Sequence, residues 1–580
     1  MTNQSTPLSI LTVGVDSLSG QLHQDGTLHD PVFGAPTQYG SAYYAWCCAV
    51  LAGRLEDGEG YRDRAAGLLS EAIDHTADPE RQPYASGFDR QTLSITDRLN
   101  HRDFTWPPIL KTYLALGERT ERGGFRRRLA EVDVEASFLS RPPSNWASVW
   151  LSGEWLRMAA GLSSTSSDEL DAWIDVFFED GDAGFDLDLG MYLERGNPNA
   201  YDLFTRAHFT DLLLQGYAGR NRDRLENFLT TGLRRSLNLQ LSDGSLASGY
   251  RSAGQTWVLS AQIALFTGSR TLRLGSSADQ EGAWLGAWRA FGSLARWQRP
   301  DGYFSPVQNL LPPELRVGYE AYTADGHYSP LALGFLASAV YAGFGDDDPP
   351  SSVELDGRPA VRLAEGAPTH RGAVHLGRLS IGVHAEADDS YDATGLVDIT
   401  FGSGRQLHFV SAARHLSGGP WLVPGLALRD GLGAQPVIAV GALRHNVSSR
   451  LARSGTAGLQ FETTMSGSDL AARRYRWQGS VGDSGVKLVE TVPGWPGWLT
   501  LLVPYLRDLG SAATTVVSLL DSGVRFALGD EWVEFAVEGE IERGIDLPYG
   551  YENRRGLCGL VRLDLTEPGE TLRWSVVSSD

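Results

Sequence analysis

At 580 residues the chain is longer than one compact core usually organises, so two substantial domains, or a large closed helical ring with a second domain, are expected. The 50 Lys and Arg against 71 Asp and Glu leave a formal net charge of −21, a field that repels nucleic acid and anionic membrane surfaces. Its 3 cysteines, the adjacent Cys47 and Cys48 and the distant Cys558, supply neither a disulfide framework nor a CxxC metal site, which points to a reducing compartment.

The opening MTNQSTPLSILTVGVDSLSG has no basic stretch, and no segment reaches the roughly 20 apolar residues that span a bilayer, so a cytoplasmic protein without an anchor is expected. From residue 38 to 344 the apolar spacing is helical. In chain order the expected helices are Gln38–Leu55, Gly60–Asp74, Phe104–Leu116, Phe125–Leu139, Asn145–Ala160, Asp168–Phe178, Ala200–Tyr217, Arg222–Leu239, Ala253–Phe266, Ala283–Trp297 and Tyr328–Tyr341, with no strand between them. Turns of the form Gln-x-x-Asp-Gly recur at Gln240 and Gln298, with a related Asp25–Gly26, and imply a helix-pair repeat. Paired helices that cannot bury both faces alone stack or close, so an (α/α) toroid of about six pairs fits better than an irregular helical bundle.

The acidic, proline-containing stretch Gly345–Ser352 ends this pattern, and the period then changes to two in runs such as VKLVETV, TLLVPYL, EWVEFAVEG and TLRWSVV. Roughly a dozen closely spaced strands without helices imply an antiparallel β-sandwich. The expected architecture is therefore multi-domain, α then β: a toroid over residues 1–345 carrying the chemistry, and a sandwich over 346–580.

No HExxH, calcium loop, P-loop, dinucleotide fingerprint or G-x-S-x-G elbow occurs, so no metal or cofactor is implied. What remains are clusters of Tyr, His, Arg and Asn at helix starts. The densest is GYEAYTADGHYSP, with Tyr319, Glu320, Tyr322 and His327 in a loop that opens an apolar helix. In NPNAYDLFTRAHF, Tyr201 and His208 share one helix face with Arg206 close by. Tyr250 and Arg251 lie between a turn and a helix start, where an arginine can hold a carboxylate bidentately. Asn145 and Trp146 stand at a helix N-terminus, and RHLSGGPW places His415 and Trp421 in a glycine-rich loop. Each has a bland counterpart: domain packing for the tyrosines, helix capping for Asn145, Arg251 and His327, and a satisfied core histidine for His208.

A helical toroid followed by a large antiparallel domain resembles the superfamily of chondroitin, hyaluronate, alginate and heparinase-type polysaccharide lyases, and related bacterial toroid-plus-sheet families of uncharacterised carbohydrate-active enzymes, some linked to glucuronidase activity. The likeness covers nearly the whole chain at the level of architecture, and the heparinase Asn-His-Gly signature is absent. It implies cleavage of a uronic-acid-containing oligosaccharide by β-elimination: Asn145 and Arg251 binding the carboxylate, His208 or His327 as base, and Tyr201 or Tyr322 as acid. Trp146, Arg206, Tyr250, Tyr319 and His415 would line the substrate.

Two other classes compete. Toroids also host glycoside hydrolases that use a carboxylate pair, for which Glu320 with Asp243 or Asp325 with Asp202 are the candidates. A non-catalytic sugar-binding protein would instead stack Trp106, Trp146, Trp257 and Trp421 on sugar faces. A terpene-cyclase reading finds no DxDD or DDxxD cluster outside the acidic break. An intracellular enzyme needs an imported substrate, so exo action on oligosaccharides is expected, and the architecture admits a homo-oligomer.

Overall fold

Alternate helices of the N-terminal half are buried in two different ways, and this decides where each one sits. The computed structural model describes residues 6–82, 84–85, 88–89, 94–95, 101–117, 124–194, 199–246, 251–320, 322–351, 360–363, 371–376, 379–384, 395–401, 406–409, 423–430, 433–436, 445–454, 458–466, 475–482, 485–511 and 514–579. They divide into two compact units. The first is residues 1–237, 255–307 and 319–351; the second is 238–254, 308–318 and 352–580. Two segments that join helices thus belong to the second unit.

In the first unit the helices α1 (Pro7–Ser17), α2 (Gly40–Arg54), α3 (Glu59–Ala77), α4 (Arg102–Leu116), α5 (Phe125–Ala130), α6 (Val134–Ser137) and α7 (Asn145–Ala159) are followed by α8 (Ser167–Glu179), α9 (Asn199–Leu214), α10 (Arg222–Leu239), α11 (Thr256–Thr271), α12 (Ser277–Ala295) and α13 (Asp325–Tyr341). Helix α2 is buried without a break from Gly40 to Ala52, and α13 from Asp325 to Ala337. By contrast α3 buries Ala65, Leu68, Leu69, Ala72 and Ile73, and α8 buries Leu170, Ile174 and Phe177, each a single stripe at helical spacing.

The all-round buried helices pack in a closed cycle, α2 on α4, α4 on α7, α7 on α9, α9 on α11, α11 on α13 and α13 back on α2. The single-stripe helices cover them: α3 lies on α2, α12 on α11, and the N-terminal α1 on α13. The first unit is an (α/α) toroid whose last pair is closed by the first helix. Glycines permit the close inner crossings. A Cβ on Gly153 of α7 would stand 2.8 Å from Trp106 of α4, and one on Gly40 of α2 would meet the Gly326 carbonyl of α13.

Three local differences from the sequence pattern have physical causes. Helix α1 was not expected; Thr6 caps it by accepting from Ser9 N, and Pro7 occupies its first position. The single helix expected over 125–139 is two, because the Asp133 carboxylate caps a new start at Glu135 and Ala136. Short strand pairs interrupt the helices, Phe88–Asp89 with Ser94–Ile95 and Phe185–Asp186 with Met191–Tyr192.

The second unit is antiparallel throughout its described strands, as expected, and these form three sheets. One joins the strands over 360–363, 371–376, 379–384, 395–401 and 406–409 in that order. A second runs 433–436, 425–430, 498–508, 557–568 and 541–552, and the third joins eight strands between 445 and 578. Ile381, Ile399, Leu501, Val503, Val561, Phe526, Phe535 and Trp574 meet in one apolar core.

Candidate active site

The first turns of all six inner helices converge on one mouth of the toroid, where aromatic rings from neighbouring and facing helices touch. Tyr39, just before α2, stacks on Phe104 of α4 with centroids 5.0 Å apart, and lies 4.9 Å from His327 and 6.3 Å from Tyr328 of α13. His101, just before α4, is 4.3 Å from Trp146 of α7. Phe104 also meets Phe204 of α9 at 5.3 Å, and Tyr201 of α9 is 6.2 Å from Trp257 of α11. Helix N-termini bring a positive dipole end to this mouth.

Polar groups are threaded through the ring. The hydroxyls of Tyr39, Tyr201 and Tyr322 and the Glu320 carboxylate all lie near enough to the Tyr328 phenol to oppose its ionisation. Burial, the largest cause, lifts the Tyr39 and Tyr328 phenols well above their ordinary range, so both stay protonated. Asn145 is the first residue of α7, whose N-cap Ser144 accepts from Ala147 N at 3.2 Å. Its amide nitrogen donates to the Glu194 carboxylate, and its Oδ1 has no donor among the described residues. Gln255 Nε2 donates to Glu320 Oε2 at 3.2 Å and to Thr323 Oγ1 at 2.9 Å, while its Oε1 accepts from Trp257 Nε1. His327 Nε2 stands 3.1 Å from the Tyr322 carbonyl, a contact that needs the proton on Nε2. His101 shares a hydrogen bond with Gln38, and burial holds its imidazole neutral, its pKa lowered to about 3.

Asn145, Trp146, Tyr201, Glu320, Tyr322 and His327 therefore share one mouth, and Trp146, Tyr201 and Tyr322 are only half-buried there. The other expected residues lie elsewhere. His208 is on the same face of α9 as Tyr201 but two turns deeper, against Phe204 at 4.6 Å and Phe335 at 5.6 Å. Burial, reinforced by the Lys111 charge, lowers its pKa to about 3. Arg206 is tied to Asp202, its i−4 neighbour, through Nε at 2.9 Å and to Ser236 of α10 through Nη2 at 2.9 Å, so it joins an inner to an outer helix. Tyr319 is buried and donates to Asp325 Oδ1 at 2.9 Å. Arg251 belongs to the second unit, and Tyr250, His415 and Trp421 fall outside the described residues.

The carboxylates paired in the hydrolase reading are also committed locally. Asp202 holds Arg206; Asp325 accepts from Tyr319 and from Tyr303 at 3.0 Å; and Asp243, in the second unit, accepts from Ser245. Asp30 accepts from Gly326 N at 2.7 Å, and burial together with the Asp325 charge raises its pKa to about 7. Trp106 is fully buried and donates to Glu154 at 3.0 Å, which leaves no face for a sugar.

Tyr328 of the GYEAYTADGHYSP loop joins the residues at the mouth, and Tyr39, His101, Gln255 and Glu194, which were not singled out by sequence, complete it. The signal was present in the helix starts QYGSAYYAW, HRDFTW, NWASVW, NAYDLF, QTWVLS and ADGHYSPL, each of which puts an aromatic or histidine in the opening residues of an apolar helix.

No protein-family model and no curated protein matches the chain. Among solved structures it is similar to the chondroitin AC lyase of Streptomyces coelicolor A3. A single-site mutant of that enzyme gives a TM-score of 0.53 at 11% identity, covering 100% of this chain and 80% of that one. The same enzyme in complex with chondroitin sulphate gives 0.53 at 10% identity, with the same coverage. The fold is thus that of the toroid-plus-antiparallel-sheet polysaccharide lyases.

Proposed function

We propose that the protein is a carbohydrate-active enzyme that cleaves uronic-acid-containing oligosaccharides by β-elimination at the mouth formed by the inner-helix N-termini. The observation that carries this reading is the gathering of half-buried Tyr201, Tyr322 and Trp146 with Asn145 at that mouth, in a fold shared with a chondroitin AC lyase. The Asn145 amide retains one proton not given to Glu194 and supplies it to a uronate carboxylate, whose charge the N-terminal dipole of α7 favours. Withdrawal of charge into that carboxylate acidifies the C5 proton. A base removes it, the electron pair forms the C4–C5 double bond, and the C4–O bond breaks with protonation of the leaving oxygen. Tyr201 and Tyr322 are assigned to these proton transfers, His327 holds the Tyr322 backbone, and Glu320 anchors Gln255 and the neighbouring Trp257. This departs from the expectation that His208 or His327 is the base: the His208 ring lies two turns below the mouth, and His327 Nε2 is engaged by the Tyr322 carbonyl.

Hydrolysis by a carboxylate pair is the competing chemistry, and one experiment separates the two. Purified protein is incubated with uronic-acid oligosaccharides while reducing ends and the ultraviolet absorbance of a conjugated C4–C5 double bond are followed together. A rise in both is the outcome for a lyase. Reducing ends without absorbance would sink the elimination and move the chemistry to Glu320 and the aspartates.

A further inference from the structure

At the opposite mouth, the C-terminal ends of the same inner helices enclose a cavity that the proposed chemistry does not use. An outer chamber of about 440 Å³ is lined by Arg54, Gln215, Thr271, Tyr341 and Asp346, among others. It continues into a narrow inner chamber of about 30 Å³ that reaches Tyr43, His208 and Phe335, the two sharing Trp46, Lys111, Asp211 and Ser338. The outer chamber falls within the roughly 300–1,000 Å³ typical of small-molecule sites. The inner one holds about two waters, or a single hydroxymethyl arm.

Two features of the lining define the ligand. First, its charges cancel: Lys111 Nζ lies 2.8 Å from Asp211, and Arg54 Nη1 lies 2.8 Å from Asp346, with no other Lys, Arg, Asp or Glu on the wall among the described residues. Ser338 Oγ completes the Lys111 contact at 3.3 Å and accepts from Trp46 Nε1 at 3.0 Å. An ionic ligand would have to break one of these pairs. Second, two residues that line the inner chamber carry hydrogen-bonding groups not satisfied within the described protein. The Tyr43 hydroxyl and His208 Nε2 have no partner among the described residues, although the two residues are only 4% and 5% exposed. Leaving such groups unpaired costs about 1–3 kcal/mol each, which a ligand hydroxyl placed between them removes. At the rim Tyr341, 58% exposed and 5.3 Å from Trp46, offers a ring face to C–H groups.

We infer that this cavity, lined by Tyr43, His208, Lys111, Ser338 and Tyr341, is a second binding site for a small, uncharged polyhydroxy compound of monosaccharide size. It is independent of the reaction proposed at the other mouth. The test is calorimetric titration of the full chain with glucose, galactose and glycerol, and with glucuronate as the charged control, using wild type, Tyr43→Phe, Tyr341→Ala and Tyr201→Phe. At least one neutral probe binds and glucuronate does not compete. Tyr43→Phe and Tyr341→Ala each weaken that binding about tenfold, the effect of one lost hydrogen bond or packing face, whereas Tyr201→Phe does not. Tyr43→Phe deletes only an unpaired hydroxyl and keeps the fold, which its melting temperature reports. The inference is overturned if no neutral probe binds, if binding ignores both Tyr43 and Tyr341, or if Tyr201→Phe abolishes it.

Discussion

The two mouths of the toroid are made by opposite ends of the same helices, yet they treat polar groups in opposite ways. At the N-terminal ends the described polar groups include hydroxyls, amides and imidazoles in an aromatic wall, where amides donate to Glu194 and Glu320. At the C-terminal ends the charges are matched into the pairs Lys111–Asp211 and Arg54–Asp346. Helix dipoles favour anions at the first mouth and cations at the second, which fits both Asn145 at a helix start and Arg54 in the last turn of α2. A fold that repeats one helix pair therefore does not repeat its chemistry. The ring supplies two environments, and the residues at each end choose between reactivity and neutrality.

The largest effect that would break this contrast is kinetic. Tyr201→Phe should lower kcat about 10²–10⁴-fold, the usual worth of a positioned acid–base group, with KM and melting temperature nearly unchanged. Wild-type turnover in this variant would remove catalysis from the N-terminal mouth. Next comes stability at the other end. Lys111 is 9% exposed, and Lys111→Met leaves Asp211 without its cation, so unfolding free energy should fall by about 3–5 kcal/mol in denaturant titration. Lys111→Met combined with Asp211→Leu should recover most of that loss. If the double variant is as unstable as the single one, the pair is not what keeps this mouth neutral.

The contrast was only half legible in the sequence. The inner helices announce themselves through runs such as YYAWCCAVLA that are apolar on every side, and they were found within a few residues of their observed ends. Helix α1 was missed because its Thr6-Pro7 start precedes a run rich in β-branched residues and glycine, which blurs the helical period. Periodicity correctly put Tyr201 and His208 on one face. It fixes direction and not depth, and seven residues at about 1.5 Å each carry His208 from one chemistry into the other. The Arg206–Asp202 pair was readable as an i,i+4 contact, and weighing it would have withdrawn Arg206 from the substrate. In the second unit the alternating pattern gave strands but not sheets. Pairings such as 425–430 with 498–508 join segments far apart in the chain, and nothing local encodes them.

Acidity should act on both ends of the ring. His101 near one mouth and His208 near the other have pKa values lowered to about 3, first by burial, so they stay neutral when folded while the unfolded chain protonates them below about 6.5. The unfolded state then binds more protons, and their contribution to stability is lost as pH falls from about 6.5. Asp30 runs the other way. Its pKa is raised to about 7, so the neutral form is favoured in the fold and stability is lost as pH rises from the unfolded carboxyl value of 3.8 toward 7. Melting curves of wild type and Asp30→Asn between pH 4 and 7 separate the two, since the variant should gain on wild type steadily as pH rises. A constant offset would mean that Asp30 does not titrate in this window.

The smallest expected effect is the sharpest probe of how the first mouth is held. Ser144 only caps α7, and Ser144→Ala removes the acceptor for Ala147 N, at a cost of about 1 kcal/mol in stability. A loss that small leaves the folded population near unity at ambient temperature. Asn145, however, is the next residue, and fraying of this turn loosens the amide proposed to bind the substrate carboxylate. The variant should therefore lose several-fold in kcat/KM on uronate substrates, more than its stability explains, whereas Tyr43-dependent binding of a neutral sugar at the other mouth stays as it was. Equal loss at both mouths would mean that the ring responds as one body, and that the separation of its two ends is shallower than their side chains make it.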